Sequence, residues 1–189
     1  MSARVVLGIA GASGAILGLS VAKQLADLGT QIDVVISNAA KRTLTTECGP
    51  DAIGKLHSIV SQVHSIEDIG ASIASGSTPV AGMIVAPCSM RSLAAIAIGL
   101  DDNLLTRAAS VQLKERRKLV LMTRESPLTL AHLRNMISAT EMGAIILPPV
   151  PAFYLAPRSI AEITDQITAR AIDLIEIAKP IAKSWKQIC

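Results

Sequence analysis

Aromatic side chains are nearly absent from this sequence: its 189 residues include one Phe, one Tyr and one Trp. A chain of that length forms one domain and buries most of the surface it would expose unfolded. Its core must therefore be aliphatic, and hydrophobic residues make up 50% of the chain, mostly Ala, Ile, Leu and Val. Charge is also scarce. Charged residues are 17% of the total, and 18 Lys+Arg against 15 Asp+Glu leave +3, a balance that excludes disorder and offers no footprint for nucleic acid. Cys48, Cys88 and Cys189 are odd in number and widely separated, which excludes a disulfide framework and a paired zinc spacing. His57, His64 and His132 show no ligand spacing, so no metal site is expected. Gly, Pro or charge interrupts every apolar run before it could span a bilayer. The mean hydropathy of +0.47 is nevertheless high, and the excess is assigned to helix faces buried in a homo-oligomer. Met1 to Arg4 lead straight into an apolar segment too short for a secretion signal, so a cytoplasmic location is expected.

What the chain does have is alternation. Consecutive Val, Ile and Leu at Val5–Ile9, Gln31–Ile36, Met83–Ala86, Lys118–Met122 and Ala144–Leu147 predict strands buried on both faces. Amphipathic stretches at Ala15–Leu28, Asn38–Thr46, Ser89–Ile98, Thr129–Met142 and Ile160–Ile177 predict helices between and after them. Residues 49 to 77 are the least regular, with a short strand near Gln62–His64. Repeated βα units predict an α/β fold: a Rossmann-like (flavodoxin-like) doubly wound parallel sheet in three αβα layers, with ligands beyond the carboxyl ends of the strands. Residues 1–178 are expected to form a single α/β domain that binds its ligand at these loops and 179–189, starting at Lys179-Pro180, a C-terminal arm outside the sheet.

The βα turns hold the small and polar residues. After the first strand comes Gly11-Ala12-Ser13-Gly14, where glycines bring backbone N–H groups to the N-terminus of a helix. This turn reads either as a phosphate cradle or as tight helix–strand packing. The spacing is not Gly-x-Gly-x-x-Gly, and the second strand ends in Ser37-Asn38 without an acidic residue for an adenosine ribose, so FMN suits it better than NAD. The turn Ala86-Pro87-Cys88-Ser89-Met90-Arg91-Ser92 repeats the theme, with Ser89 a phosphate donor or a simple helix cap and Cys88 an inert buried thiol. Arg124-Glu125 follows the fifth strand, where a carboxylate beside a guanidinium can orient an anion and exchange protons with it. Arg116, Arg117 and Lys118 read as a solvated face. Finally, Pro148 to Pro157 carries Phe153 and Tyr154 in a loop stiffened by prolines, either a ligand wall or a hydrophobic plug.

Taken together, Gly11-Ala12-Ser13-Gly14-Ala15, Ala74-Ser75-Gly76-Ser77, Ala86-Pro87-Cys88-Ser89-Met90, Leu113-Lys114-Glu115-Arg116-Arg117, Arg124-Glu125-Ser126-Pro127-Leu128 and Pro148-Pro149-Val150-Pro151-Ala152-Phe153-Tyr154 resemble, in this order, the UbiX flavin prenyltransferases. The resemblance runs from about residue 4 to residue 177. It implies a metal-independent enzyme that transfers a dimethylallyl group from dimethylallyl monophosphate to N5 and C6 of reduced FMN. The product is the prenylated cofactor of UbiD-type decarboxylases, and the assembly implied is a homo-dodecamer built of trimers. By the same resemblance Gly11, Ala12, Ser13, Ser37, Ser89, Met90, Arg91, Ser92 and Arg124 would hold FMN. Arg107, Lys114, Glu125, Tyr154 and Arg170 would surround the prenyl phosphate, Ser13, Glu47, Glu125 and Tyr154 would be catalytic, and Trp185 would cover the pocket from a neighbouring subunit. Two positions depart from the family's usual pattern, Ser110 where Asp is usual and Asn38 where Lys is common. Alternatives are a decarboxylase acting directly on an aromatic acid such as a polyprenyl-hydroxybenzoate, and a flavin carrier without turnover. No membrane or nucleic-acid partner is expected.

Overall fold

The computed structural model describes residues 2–185. The strands, which we number β1 (Arg4–Ile9), β2 (Gln31–Ile36), β3 (Gln62–His64), β4 (Gly82–Cys88), β5 (Lys118–Thr123) and β6 (Ile145–Ile146), form one parallel sheet in the order β3-β2-β1-β4-β5-β6. The helices are α1 (Ala15–Asp27), α2 (Asn38–Cys48), α3 (Ala52–Ile59), α4 (Met90–Ala97), α5 (Leu104–Lys114), α6 (Leu130–Glu141) and α7 (Ile160–Asp173).

Period-two alternation along the strands divides the core into two layers. Val5, Leu7 and Ile9 of β1, Ile32 and Val34 of β2 and Val120 of β5 pack with α1, α2, α3 and α7 on one face. Val6 of β1, Val35 of β2, Met83 of β4 and Leu119 of β5 pack with α4, α5 and α6 on the other. The expected three-layer doubly wound sheet is present. Its strand order reverses between β1 and β4, and at such a switch point the loops diverge to leave a crevice.

Two helices went unforeseen. α3 follows Gly49-Pro50 and contains Gly54, punctuation that masks a single buried edge of Ala52 and Leu56. α5 buries Leu104, Leu105, Ala108, Ala109, Val111 and Gln112 at helical spacing and is capped by Asn103, whose Oδ1 accepts the Thr106 N–H at 3.1 Å; its interspersed Arg and Lys drew the reading toward solvent. In the other direction, the strand expected at Ala144–Leu147 pairs only at Ile145–Ile146, because Pro148 and Pro149 have no N–H for the ladder. Beyond α7 the chain folds back on it. Asp173 accepts the N–H groups of Ile181 and Ala182, and Gln166 exchanges hydrogen bonds with the backbone of Lys183. Among the described residues no helix is long and apolar enough to cross a membrane.

One buried polar cluster lies under the β1–β2–β3 side of the sheet. Asp33, 1% exposed, accepts Nε and Nη2 of Arg4 at 2.6 and 2.8 Å and faces Nε2 of His64 at 2.7 Å. Burial opposes its ionisation, but the bonds from Arg4 and His64 outweigh burial and hold Asp33 below the usual carboxylate range. A depressed folded value means that the stabilisation is present above the unfolded pKa of about 3.9 and is lost as pH falls through the folded value. Asp33→Asn leaves the Arg4 charge without its partner and should lower the unfolding free energy by about 3 kcal/mol at pH 7. Urea unfolding at pH 7 and at pH 3 checks this: the gap between the two proteins should narrow at pH 3, and a gap of constant size would count against the ion-pair account.

Candidate active site

The carboxyl ends of the central strands are stapled to one another by backbone hydrogen bonds. Ser37 N–H donates to Ile9 O at 3.0 Å, Ala10 N–H to Pro87 O at 3.1 Å, and Arg124 N–H to Cys88 O at 3.1 Å. The turns after β2, β1, β4 and β5 therefore stand side by side along one edge, although Ala10 and Arg124 lie more than a hundred residues apart in sequence. Gly11 is required there, because a Cβ at that position would fall on the Cβ of Ala39 and push α2 away from the first turn.

On this edge the N-terminus of α1 already carries an anion. Glu47, from the end of α2, accepts the N–H groups of Gly14 and Ala15 on Oε2, both at 2.8 Å. Burial works against its ionisation, but the Ala15 N–H, the Ser13 hydroxyl, the Gly14 N–H and the charge of Arg124 prevail and keep Glu47 below the ordinary carboxylate range. The amides that the glycine spacing marked for a ligand phosphate are thus held by the chain's own carboxylate. Ser13, Glu47 and Arg124, which the resemblance to the family assigned to the flavin and its chemistry, meet here.

Ser89 is the helix cap that its turn suggested, and Ser37 caps α2 in the same way. Ser37 Oγ accepts the Ala40 N–H at 3.1 Å, and Ser89 Oγ accepts the Ser92 N–H at 3.3 Å. A capping hydroxyl accepts through a lone pair and keeps its proton for another partner; that of Ser89 points to Ser92 Oγ at 3.2 Å. The first turns of α2 and α4 therefore offer hydroxyls and helix-terminal amides, with Arg124 nearby, a donor set that fits a phosphate monoester such as that of FMN. The side chain of Arg91 turns instead to an ion pair with Asp102, which leaves its backbone on this edge. Glu125, exposed, accepts the N–H of Ser126 at 3.1 Å. Cys88 is fully buried, and burial pushes its thiol up to about 12, as an inert core residue requires.

The remaining predicted residues form two groups in different layers. Tyr154 and Arg170 line a cavity of about 330 Å³ together with Val150, Gln166 and Ala182. Trp185 packs edge-on against Tyr154 of its own chain, with ring centroids 5.0 Å apart. It was expected to reach the pocket of a neighbouring subunit. Arg107 and Lys114 lie on α5, across the sheet from α7 and Arg170. A larger cavity of about 380 Å³ between α1 and α7 includes none of the predicted residues. On its wall Asp165 accepts the Ser20 hydroxyl and Gln24 Nε2 donates to Thr168 Oγ1.

Arg117 overturns its assignment to a solvated face. It is half-buried and donates Nη1 to Thr78 O at 3.0 Å and Nη2 to Gly76 O at 2.6 Å. No spacing in the sequence pairs a guanidinium with two backbone carbonyls 39 and 41 residues away.

Residues 1–184 match the Flavoprotein family. The chain belongs to this family, on its UbiX branch. This flavoprotein is 48% identical over 182 residues to the flavin prenyltransferase UbiX of Thauera aromatica, covering 96% of this chain and 93% of that protein. Its fold superposes with a TM-score of 0.94, at 42% identity and 98% coverage of both chains, on AnUbiX (PadA1), solved in complex with FMN and dimethylallyl pyrophosphate. It also superposes, with a TM-score of 0.91 and 39% identity over 96% of this chain and 98% of the other, on a dodecameric FMN-dependent UbiX-like decarboxylase from Escherichia coli.

The flavoprotein's thiols can be told apart chemically. Iodoacetamide at pH 8 should leave Cys88 unmodified in the native protein and label it fully in 8 M urea, a denaturing concentration well past the usual midpoints. Peptide mapping reads the outcome, and rapid native labelling of Cys88 would overturn its assignment as an inert core thiol.

Proposed function

We propose that this flavoprotein is a flavin prenyltransferase that joins the dimethylallyl group of dimethylallyl monophosphate to N5 and C6 of reduced FMN. The observation that carries the reading is the meeting of Ser13, Glu47 and Arg124 on the crevice edge of a chain that matches AnUbiX over nearly its whole length. Ser37, Ser89, Ser92 and Arg124, with the backbone from Gly11 to Ser13 and at Met90 and Arg91, would hold FMN. When bound, reduced FMN supplies the nucleophilic N5 and C6.

Breaking the allylic C–O bond leaves the electron pair on phosphate, whose added charge needs compensation. Arg107, Lys114, Arg170 and the Tyr154 hydroxyl provide it, so positive side chains do the neutralising. Glu125 donates a proton to the departing phosphate and can take one back afterwards. Glu47 is held ionised at neutral pH, so beside Ser13 it enters as a proton acceptor.

The separation of Arg107 and Lys114 from Tyr154 and Arg170 supports a phosphate site completed between copies of the chain. Leu130, Leu133 and Ile137 of α6 and Phe153 lie exposed and need covering, and we place them in the interfaces of a homo-oligomer, a dodecamer by analogy with the E. coli neighbour. A cytoplasmic location and delivery of the product to a UbiD-type decarboxylase complete the proposal.

The deciding experiment incubates the purified protein anaerobically with reduced FMN and dimethylallyl monophosphate and weighs the extracted flavin. One added dimethylallyl unit, absent without protein, supports the transferase. Unmodified flavin with release of carbon dioxide from an aromatic acid would favour the decarboxylase that the E. coli neighbour's name suggests. Glu125→Gln and Tyr154→Phe should each slow transfer roughly hundredfold, the lower range for a positioned proton donor, while FMN affinity stays within twofold. Wild-type turnover in both variants would overturn their roles. Arg107→Ala and Arg170→Ala, each inactive alone, should regain activity when co-expressed, since mixed oligomers rebuild some intact sites; no recovery would place each site within one chain.

A further inference from the structure

The loop from Ala74 to Thr78 lies against both α5 cations. Arg107 Nε donates to Ala74 O at 3.3 Å, while its Nη1 reaches Asp101 Oδ2 at 3.0 Å. Lys114 pairs with Glu115, and both rest on Gly76: a Cβ there would come within 2.6 Å of Lys114 Nζ and of the Glu115 carboxyl carbon. The loop is braced within itself by Ser75 Oγ and Ser77 Oγ at 2.8 Å and by the Thr78 hydroxyl donating to Ser72 O at 2.6 Å. It is clamped from outside by the two-pronged bond of Arg117 to the Gly76 and Thr78 carbonyls. A planar guanidinium holds two carbonyls in a fixed fork, whereas an ammonium is a point charge on a flexible stem and does not fix their geometry.

Long cationic side chains lose much rotamer entropy when immobilised, so a cation held beforehand binds an anion better than a loose one. We propose that Arg117 is a positioning residue for the prenyl phosphate: by fixing the Gly76–Thr78 backbone it sets the direction of the Lys114 ammonium, and through the Ala74 carbonyl that of Arg107. The role rests on the transferase reading above and adds to it a residue that touches neither flavin nor prenyl donor. Gly76 is the second half of the device, because its bare backbone is what Lys114 lies upon.

The test uses the full-length protein with reduced FMN and dimethylallyl monophosphate. Arg117→Ala should lower kcat/KM for the prenyl donor by roughly ten- to hundredfold, the cost of a misplaced binding group, mainly through KM. FMN affinity should stay within twofold, and the amides of residues 75–78 should exchange hydrogen faster. Gly76→Ala should raise the same KM without removing the guanidinium, and Arg117→Lys should recover only part of the loss. Combining Arg117→Ala with Lys114→Ala should cost less than the product of the two single losses, because Arg117 acts in part through Lys114. Arg117→Ala with wild-type KM, or a double variant whose losses multiply, would overturn the positioning role. A wild-type protein that makes no prenylated flavin would sink the transferase reading and this role with it, whereas turnover by the wild type with Arg117→Ala unaffected sinks this role alone.

Discussion

A parallel sheet covered on both faces imposes the layout on which everything else depends. Every strand must leave at the same edge and return through a crossover, so all the carboxyl-end turns collect there. In this chain those turns are further tied by three backbone hydrogen bonds, from Ser37 to Ile9, Ala10 to Pro87 and Arg124 to Cys88. The ties convert four separate loops into one rigid rim. Only on a rim of that stiffness does a carboxylate from the end of α2 meet the first turn of α1 with both bonds at 2.8 Å.

The same constraint sends chemistry to two sides. Residues on α5 and residues on α7 can approach the carboxyl edge but are separated by the thickness of the sheet, and the alternation of Val5, Leu7 and Ile9 against Val6 enforces that separation. On the proposed reading a leaving phosphate needs more than one cation around it. A single doubly wound domain whose cations sit in opposite layers gathers them most directly by bringing a second copy alongside. The apolar side chains left exposed on α6 and at Phe153 give such a contact its driving force.

The sheet was legible in the sequence because its strands are runs of Val, Ile and Leu whose burial on both faces leaves no alternation to misread. The α1, α2, α4, α6 and α7 helices were legible from their amphipathic faces, and the crevice turns from Gly and Ser placed where strands end. α5 was obscured, because Arg107 and Lys114 interrupt a buried face that Leu104, Leu105, Ala108 and Ala109 define only once packed. Arg117 was misread for a related reason. Its neighbours Arg116 and Lys118 are exposed, and a run of positive charge looks uniformly solvated until the fold brings two distant carbonyls to one member of it. The resemblance to a family supplied roles for Glu47, Tyr154 and Arg170 that no local pattern carried. It did not reveal that Glu47 occupies the α1 amides or that Trp185 packs on Tyr154 of its own chain.

That occupation of α1 bears on how the site divides its charges. A helix N-terminus favours one anion, and here it is taken by Glu47, whose ionised state the helix in turn secures. On the proposed reading a flavin phosphate would then rely on the caps of α2 and α4 and on Arg124. Glu47 meanwhile has the Ser13 hydroxyl and the charge of Arg124 as well as the α1 amides to hold it ionised. One helix dipole thus keeps a partly desolvated carboxylate charged, and among the described residues the N-termini of α2 and α4 carry no carboxylate of this kind. The first turn is rich in glycine without being a dinucleotide fingerprint: Gly11 makes room for Ala39, and Gly14 takes the left-handed backbone (φ 97°) from which its N–H reaches Glu47.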